Sequence, residues 1–414
     1  MFPLRYINTM RNIFFILSLL FTISSFSQIV IKGTVYYEKG PLENVAVYLN
    51  NTMLGTTTDK NGEFSIPVKE GQYELIVSYL GYKKVNFAFN TSTYKKSLVF
   101  VLEENAAVLD EIIIKKIVYD EKWKNNLAVF KREFIGRTEL AADCEILNPE
   151  VLGFDFDFRK NKFTAFAKKP VQIKHKSLGY LITYELEDFI IDNKLVTYLG
   201  YSKYQQLKGG KRKQKRWEKN RLKAYNGSPF HFFKSVLNNR FKKDGFIVNQ
   251  FKRVPNSERP SEEEIKMARQ IIKLNRGIIT NFNQKNDPPK NALDSALITV
   301  KKSRLPKFKD FLYKSRLKKE DIIAFKENAY QLIFEDNLSI VYTKEKEEMG
   351  YIMRGVFSKK RAPAPQTSSI IPIDDKIILD ITGILVNPLA VFYEGYWSYE
   401  KFANSLPLDY IPEK

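Results

Sequence analysis

The stretch from Ile29 to Glu104 constrains the fold most, because short β-type runs alternate there with turn residues at the close spacing of a two-sheet sandwich. The runs are Val30–Tyr37, Val45–Leu49, Gly55–Thr58, Glu63–Ile66, Gly71–Tyr79, Lys84–Phe89 and Ser97–Leu102. Seven strands of this length make two packed sheets. Between the third and fourth lies Asp59-Lys60-Asn61-Gly62, whose Asn-Gly pair supplies the positive φ angles of a tight hairpin. Its Asp-x-Asn also begins calcium loops, but the other loop ligands and the distal Glu are missing, so the segment reads as a turn.

At 414 residues the chain is too long for one typical core, and two or three domains are expected. The aromatic excess, 31 Phe and 23 Tyr, favours strands. The expected fold is therefore mainly β with some α: an N-terminal seven-stranded β-sandwich followed by an α+β region with an antiparallel sheet. A lone cysteine, Cys144, rules out an internal disulfide and reads as a core filler.

At the N-terminus, Arg5 and Arg11 flank an apolar run from Ile13 to Ile23, followed by Ser25-Phe26-Ser27. The pattern predicts a signal peptide over 1–27, cut before Gln28, and hence export to the periplasm or the periphery of the outer membrane. No cysteine lies near that cut to carry a lipid anchor. No later stretch approaches 18 uninterrupted apolar residues, so no transmembrane helix is expected in the mature chain.

After the sandwich, expected over 28–104, residues 105–127 read as a connector and 128–414 as an α+β region with a possible internal boundary near 277–290. Phe154 to Phe158 alternates strictly, placing three aromatics on one face of a strand and Asp155 and Asp157 on the wet face. Runs at 162–168, 171–175, 180–191 and 195–205 extend this sheet as a meander. Ser228-Pro229 opens a Phe-rich helix closed by Gly245, and Ser261 with Glu264 is a capping box. Further on, 331–334 and 338–343 read as a hairpin, 358–370 as a mobile loop, and 377–381 as a strand. The aromatic tail from Tyr396 to Tyr410 is expected to dock.

The residues of the first module also carry a resemblance. Gly33 and Val35, Pro41 to Val47, Gly55-Thr56-Thr57-Thr58-Asp59, Asn61-Gly62, Phe64, Gly71, Tyr73 and Val77 to Tyr82 occur in an order similar to the carboxypeptidase regulatory-like domain of Bacteroidetes envelope proteins. The resemblance implies a non-catalytic, transthyretin-like sandwich that is appended to peptidases, glycan-utilisation receptors and other exported proteins. Leu109 to Ile114 resembles the stretch that follows this domain in TonB-dependent receptors, although too few residues remain for a plug and a large barrel.

Charge points to partners. With 67 Lys plus Arg against 47 Asp plus Glu, the chain carries a formal charge of +20. Nine basic residues fall between Lys208 and Lys223 against Glu218 alone, and nine more between Lys301 and Lys319 against Asp310 alone. The two clusters together suggest one positive face. For an exported chain this excludes nucleic acid and leaves a cell-envelope component: protein, acidic glycan or anionic lipid headgroups. Lys211, Arg212, Lys213, Lys215, Arg216, Trp217 and Arg221 are the expected contacts.

Enzymatic readings fare worse. A zinc carboxypeptidase needs two His and a Glu, and neither His175 nor His231 has Glu at the third position after it. Walker, Gly-x-Ser-x-Gly and dinucleotide motifs are absent. No catalytic residue, cofactor or metal is expected. A carboxylate-dependent glycan hydrolase survives, since such pairs leave no mark in sequence, as does an accessory role in TonB-dependent uptake.

Overall fold

The computed structural model describes residues 29–94, 96–105, 117–192, 195–277, 288–355 and 360–412. The expected signal peptide and Leu109–Ile114 lie outside them. The chain divides into two compact units, one within Met1–Ile135, Asp143–Leu222 and Ser405–Lys414, the other within Gly136–Ala142 and Lys223–Asn404.

The first unit opens with β1 (Ile29–Tyr37), β2 (Gly40–Pro41), β3 (Ala46–Leu49), β4 (Gly55–Thr57), β5 (Glu63–Val68), β6 (Gln72–Ser78), β7 (Val85–Asn90) and β8 (Leu98–Val101). In one sheet β1 pairs with β2 and β5 antiparallel and with β8 parallel; the other runs β4-β3-β6-β7. Strict alternation along β5 turns Phe64, Ile66 and Val68 inward. They meet Ile31, Val35, Val47, Leu75 and Val77 in a single core. The two-residue β2 is an eighth strand beyond the expected seven, a rung beside the Asp59 turn. Asp59 spends one carboxylate oxygen on the N–H groups of Asn61 and Glu63, both at 2.9 Å, which makes it a turn former. Gly62 sits at φ +72°, where a Cβ would lie 2.4 Å from the Val35 carbonyl oxygen.

The unit continues with β9 (Cys144–Ile146), β10 (Leu152–Asp157), β11 (Lys162–Ala167), β12 (Val171–His175), β13 (Tyr180–Asp192) and β14 (Leu195–Gln206) in one antiparallel sheet. The sequence suggests a meander, but β13 replaces it: at least twice as long as β11 and β12, it pairs with β12 through Tyr180–Tyr184 and with β11 through Ile190–Asp192, while β14 follows its whole length. Helix α1 (Glu121–Phe130), capped by Asp120, lays Phe130 against Phe189 and Phe154, with ring centroids 4.8 and 6.0 Å away. Asp155 and Asp157 face outward as expected, but Phe158 falls past the strand end and is exposed.

The sandwich and this sheet share polar bonds. The Tyr48 hydroxyl donates to the buried Glu185 carboxylate at 2.6 Å, Lys84 pairs with the same carboxylate at 2.7 Å, and Ser78 donates to it at 3.2 Å. Burial and the Glu185 charge hold the Tyr48 phenol far above its usual range. The final segment joins the same unit: Leu408 N–H donates to the Asn51 carbonyl, and Asp409 accepts from Met53 N–H.

In the second unit, β15 (Phe246–Pro255), β16 (Phe308–Lys314), β17 (Ile323–Lys326), β18 (Ala329–Leu332), β19 (Asn337–Lys346), β20 (Pro365–Pro372), β21 (Ile378–Leu379) and β22 (Val391–Gly395) form a five-stranded sheet, β16-β15-β19-β20-β22, and a small one, β17-β18-β21. Phe232, Phe246, Val248, Leu338, Ile340, Ile370 and Trp397 fill the core.

Three expectations are corrected here. The stretch 331–343 is no hairpin, because Asp336 at φ +53° sends β18 and β19 into different sheets. The expected mobile loop contains β20, a strand paired on both sides; its two prolines stand at its ends, where no ladder is interrupted, and Ile370 is fully buried. The Phe-rich helix is two helices, Pro229–Leu237 and Phe241–Asp244, broken at Asn239, which adopts φ +53°. The Ser261 capping box forms as expected at the start of Glu262–Leu274. Among the described residues no helix is long and apolar enough to cross a membrane.

Candidate functional site

The basic run 208–223 folds largely into helix α2 (Lys211–Tyr225), which has two opposed faces. Trp217 and Arg221, one turn apart, are buried. Trp217 Nε1 donates to the Lys176 carbonyl at 2.8 Å, and its indole lies over Gly179, where a Cβ would approach it to 2.2 Å. Arg221 donates Nε to the Leu178 carbonyl at 2.8 Å and Nη2 to that of Gly179 at 3.4 Å, with its guanidinium 4.1 Å from the Tyr180 ring centroid. These two side chains are therefore not surface contacts, as expected from sequence, but the anchors that seat the helix. A Trp in a basic run reads as surface only until the apolar i, i+4 partner turns out to be the aliphatic stem of an Arg.

Arg212, Lys215, Arg216 and Lys219 recur at i, i+3, i+4 and i+7 and form the opposite stripe. With Lys211 and Lys213 they are exposed, and among the described residues none of the six makes an ion pair. Three cations also occupy the first turn, with no acidic residue to offset the positive end of the helix. An anion brought to this face relieves both repulsions.

Beside the anchors, a cavity of about 500 Å³ is lined by Lys215, Glu218, Lys219 and Arg221 from the helix, Tyr180 and Gln206 from the sheet, and Met53, Asp409 and Tyr410. Tyr180 is fully buried and its hydroxyl has no hydrogen-bond partner. Burial pushes this phenol up to about 12, with the Arg221 charge opposing and Asp409 reinforcing the shift. Burial also raises the Asp409 carboxyl.

The second basic cluster falls in the other unit. There Lys307 pairs with Glu262 at 3.2 Å, Lys309 with Glu258 at 2.8 Å and Lys314 with Asp321 at 2.8 Å, while Lys319 donates to the Leu237 carbonyl. The fold supplies counter-charges that the local sequence does not show.

The residues weighed for catalysis are enclosed. His231 accepts at Nδ1 from Gly227 N–H at 3.1 Å, and burial lowers it to about 4. His175 accepts at Nδ1 from Leu178 N–H at 3.2 Å. Burial pushes the Cys144 thiol up to about 12. Among the described residues no group of three or more His, Cys, Asp or Glu is placed to hold a metal. One cluster escaped sequence reasoning: Glu400 is pushed up to about 8 by burial, then by Glu345 and Glu348, beside Tyr351, Tyr396 and Tyr399. Its members come from three elements, the strand end at Glu345, the short helix Met349–Ile352 with its cap Glu348, and the helix Tyr396–Glu400, so no single spacing in the chain announces it.

Comparison with known proteins identifies the first module. Residues 31–114 match the family model of the CarboxypepD_reg-like domain. Over 113 residues the chain is 33% identical to a TonB-dependent receptor of Formosa agariphila; the match covers 26% of this chain and 10% of the receptor. The chain thus matches about a tenth of that relative's length. A DUF3823 family protein from Bacteroides ovatus aligns over 44% of this chain and 83% of its own, at 9% identity and a TM-score of 0.15, a likeness on which nothing rests.

Proposed function

We propose that this chain is an exported cell-envelope protein that binds an anionic envelope component through α2 and carries out no chemistry of its own. The carrying observation is the set of six exposed, unpaired cations on one helix whose other face is locked into the fold by Trp217 and Arg221. A rigid helix presents its charges without an ordering cost at binding. The signal-peptide pattern at 1–27, the match to a regulatory-like domain and the partial likeness to a TonB-dependent receptor support the periplasm or the periphery of the outer membrane as its place of work.

The protein purified from envelopes should sediment with vesicles containing phosphatidylglycerol, stay in solution with neutral ones, and be released by salt. Each basic side chain near such a surface contributes about 1 kcal/mol. Replacing Arg212, Lys215, Arg216 and Lys219 by Gln should then weaken binding by about three orders of magnitude. Unchanged binding by that variant would sink the proposal.

A second reading, carboxylate-based glycan hydrolysis, is favoured by the raised Glu400 beside Glu345 and Glu348. Against it, these carboxyls are engaged within the protein: Glu400 accepts from Asn404, Glu345 from Gln366, and Glu348 from Glu139 N–H, with Lys223 3.7 Å away. They do not line the cavity. Reducing-sugar release from envelope glycans, lost in Glu400→Gln, would establish this reading instead.

A further inference from the structure

We propose that the cavity against the inner edge of α2 binds one phosphomonoester-type oxyanion. This rests on the reading of α2 as a docking face, with which it shares Lys215 and Lys219, and adds Tyr180 and Arg221, which that face does not use. The Tyr180 hydroxyl is buried within the fold with no partner, and the charged groups that act on it, Arg221 and Asp409, are both cavity-lining. A buried donor of this kind needs an acceptor brought from outside. Arg221 spends Nε and Nη2 on two carbonyls, which fixes the guanidinium and leaves Nη1 for a ligand. Lys215 and Lys219, one turn apart, add two ammonium groups on the same wall.

These three cations face two carboxyls, Glu218 and Asp409. Asp409 is already engaged, accepting Met53 N–H at 3.0 Å, and burial raises its carboxyl. A cation is repelled by this set, and a neutral ligand leaves both lysines unused. A phosphomonoester offers three acceptor oxygens to the phenol, the guanidinium and the ammonium groups. At about 500 Å³ the space also exceeds what the phosphate alone needs, so the group bearing it enters too.

The source is either a lipid headgroup or a free phosphorylated molecule, and the two are separable. Isothermal titration with inorganic phosphate and with a soluble short-chain phosphatidate would be run on the wild type, Tyr180→Phe, Lys219→Gln and Arg212→Gln/Arg216→Gln. The wild type should bind phosphate saturably, and Tyr180→Phe should lose roughly tenfold or more, the worth of a hydrogen bond to a charged group. Arg212→Gln/Arg216→Gln, outside the cavity, should keep phosphate affinity while losing vesicle binding. Tighter binding of phosphatidate than of phosphate assigns a headgroup; equal binding assigns a free phosphorylated molecule. Absence of saturable phosphate binding, or equal affinity in Tyr180→Phe and wild type, overturns the site and leaves the phenol an unsatisfied buried group. If Tyr180→Phe does not fold, Lys219→Gln reads the same wall. Vesicle binding that fails while phosphate binding holds would reject the docking reading alone.

Discussion

Two stretches of this chain carry the same charge in sequence and opposite roles in the fold. Between Lys211 and Lys219 six cations of α2 stand exposed without an ion pair, whereas between Lys301 and Lys319 three of the nine basic residues are bound to Glu262, Glu258 and Asp321 from other elements. A run of like charge therefore says little about partners until its counter-charges are located. What sets availability is the three-dimensional neighbourhood, which lies about 50 residues away in sequence for Glu258 and Lys309.

The sharpest way to separate the two regions is pH. Glu400 belongs to the unit that holds the second cluster, and its pKa is about 8 folded against 4.5 for the ordinary carboxyl. The folded state then holds a proton that the unfolded chain has lost, so stability is full below pH 4.5 and declines as pH rises to 8. The decline is at most about 5 kcal/mol, and Glu400→Gln should flatten it in urea melts at pH 5 and pH 8. Next in size, Trp217→Ala should cost about 3–5 kcal/mol and unseat α2. Phe311→Ala, on the edge strand β16 where the ring is 54% exposed, should stay within about 0.5 kcal/mol. Equal melting shifts for the two would mean that α2 is not anchored by its indole. On the binding side, Glu258→Gln/Glu262→Gln should free Lys307 and Lys309 and raise vesicle binding by about thirtyfold. No gain there would break the comparison, since pairing would then not be what silences the second region.

The sandwich was legible because its strands are local events: alternation, an Asn-Gly turn and short spacing are all written within a few residues, and all seven expected runs are strands. The capping box at Ser261 was legible for the same reason. Where partners are remote, sequence gave way. The two pairings of β13, the separate sheets of β18 and β19, and the burial of β20 depend on which strand arrives alongside, and Pro363 with Pro365 disguised the start of β20 as a linker. Of the site, the cations of α2 were visible and its orientation was not. The period that buries Trp217 and Arg221 runs through a charged residue, so no apolar stripe marks the inner face.

The Glu185 junction has a consequence for how this architecture could be recombined. A domain found beside many unrelated partners is expected to behave as a cassette, joined by a tether and lifted out intact. Here Tyr48, Ser78 and Lys84 of the cassette close upon a carboxylate that belongs to the neighbouring sheet. Cutting the gene after Glu104 would strip that anion of its lysine and leave Lys84 and a dense tyrosine facing water. Transplantation of the sandwich alone is thus a change to both halves, and Glu185→Gln in the remainder is the compensating edit it calls for.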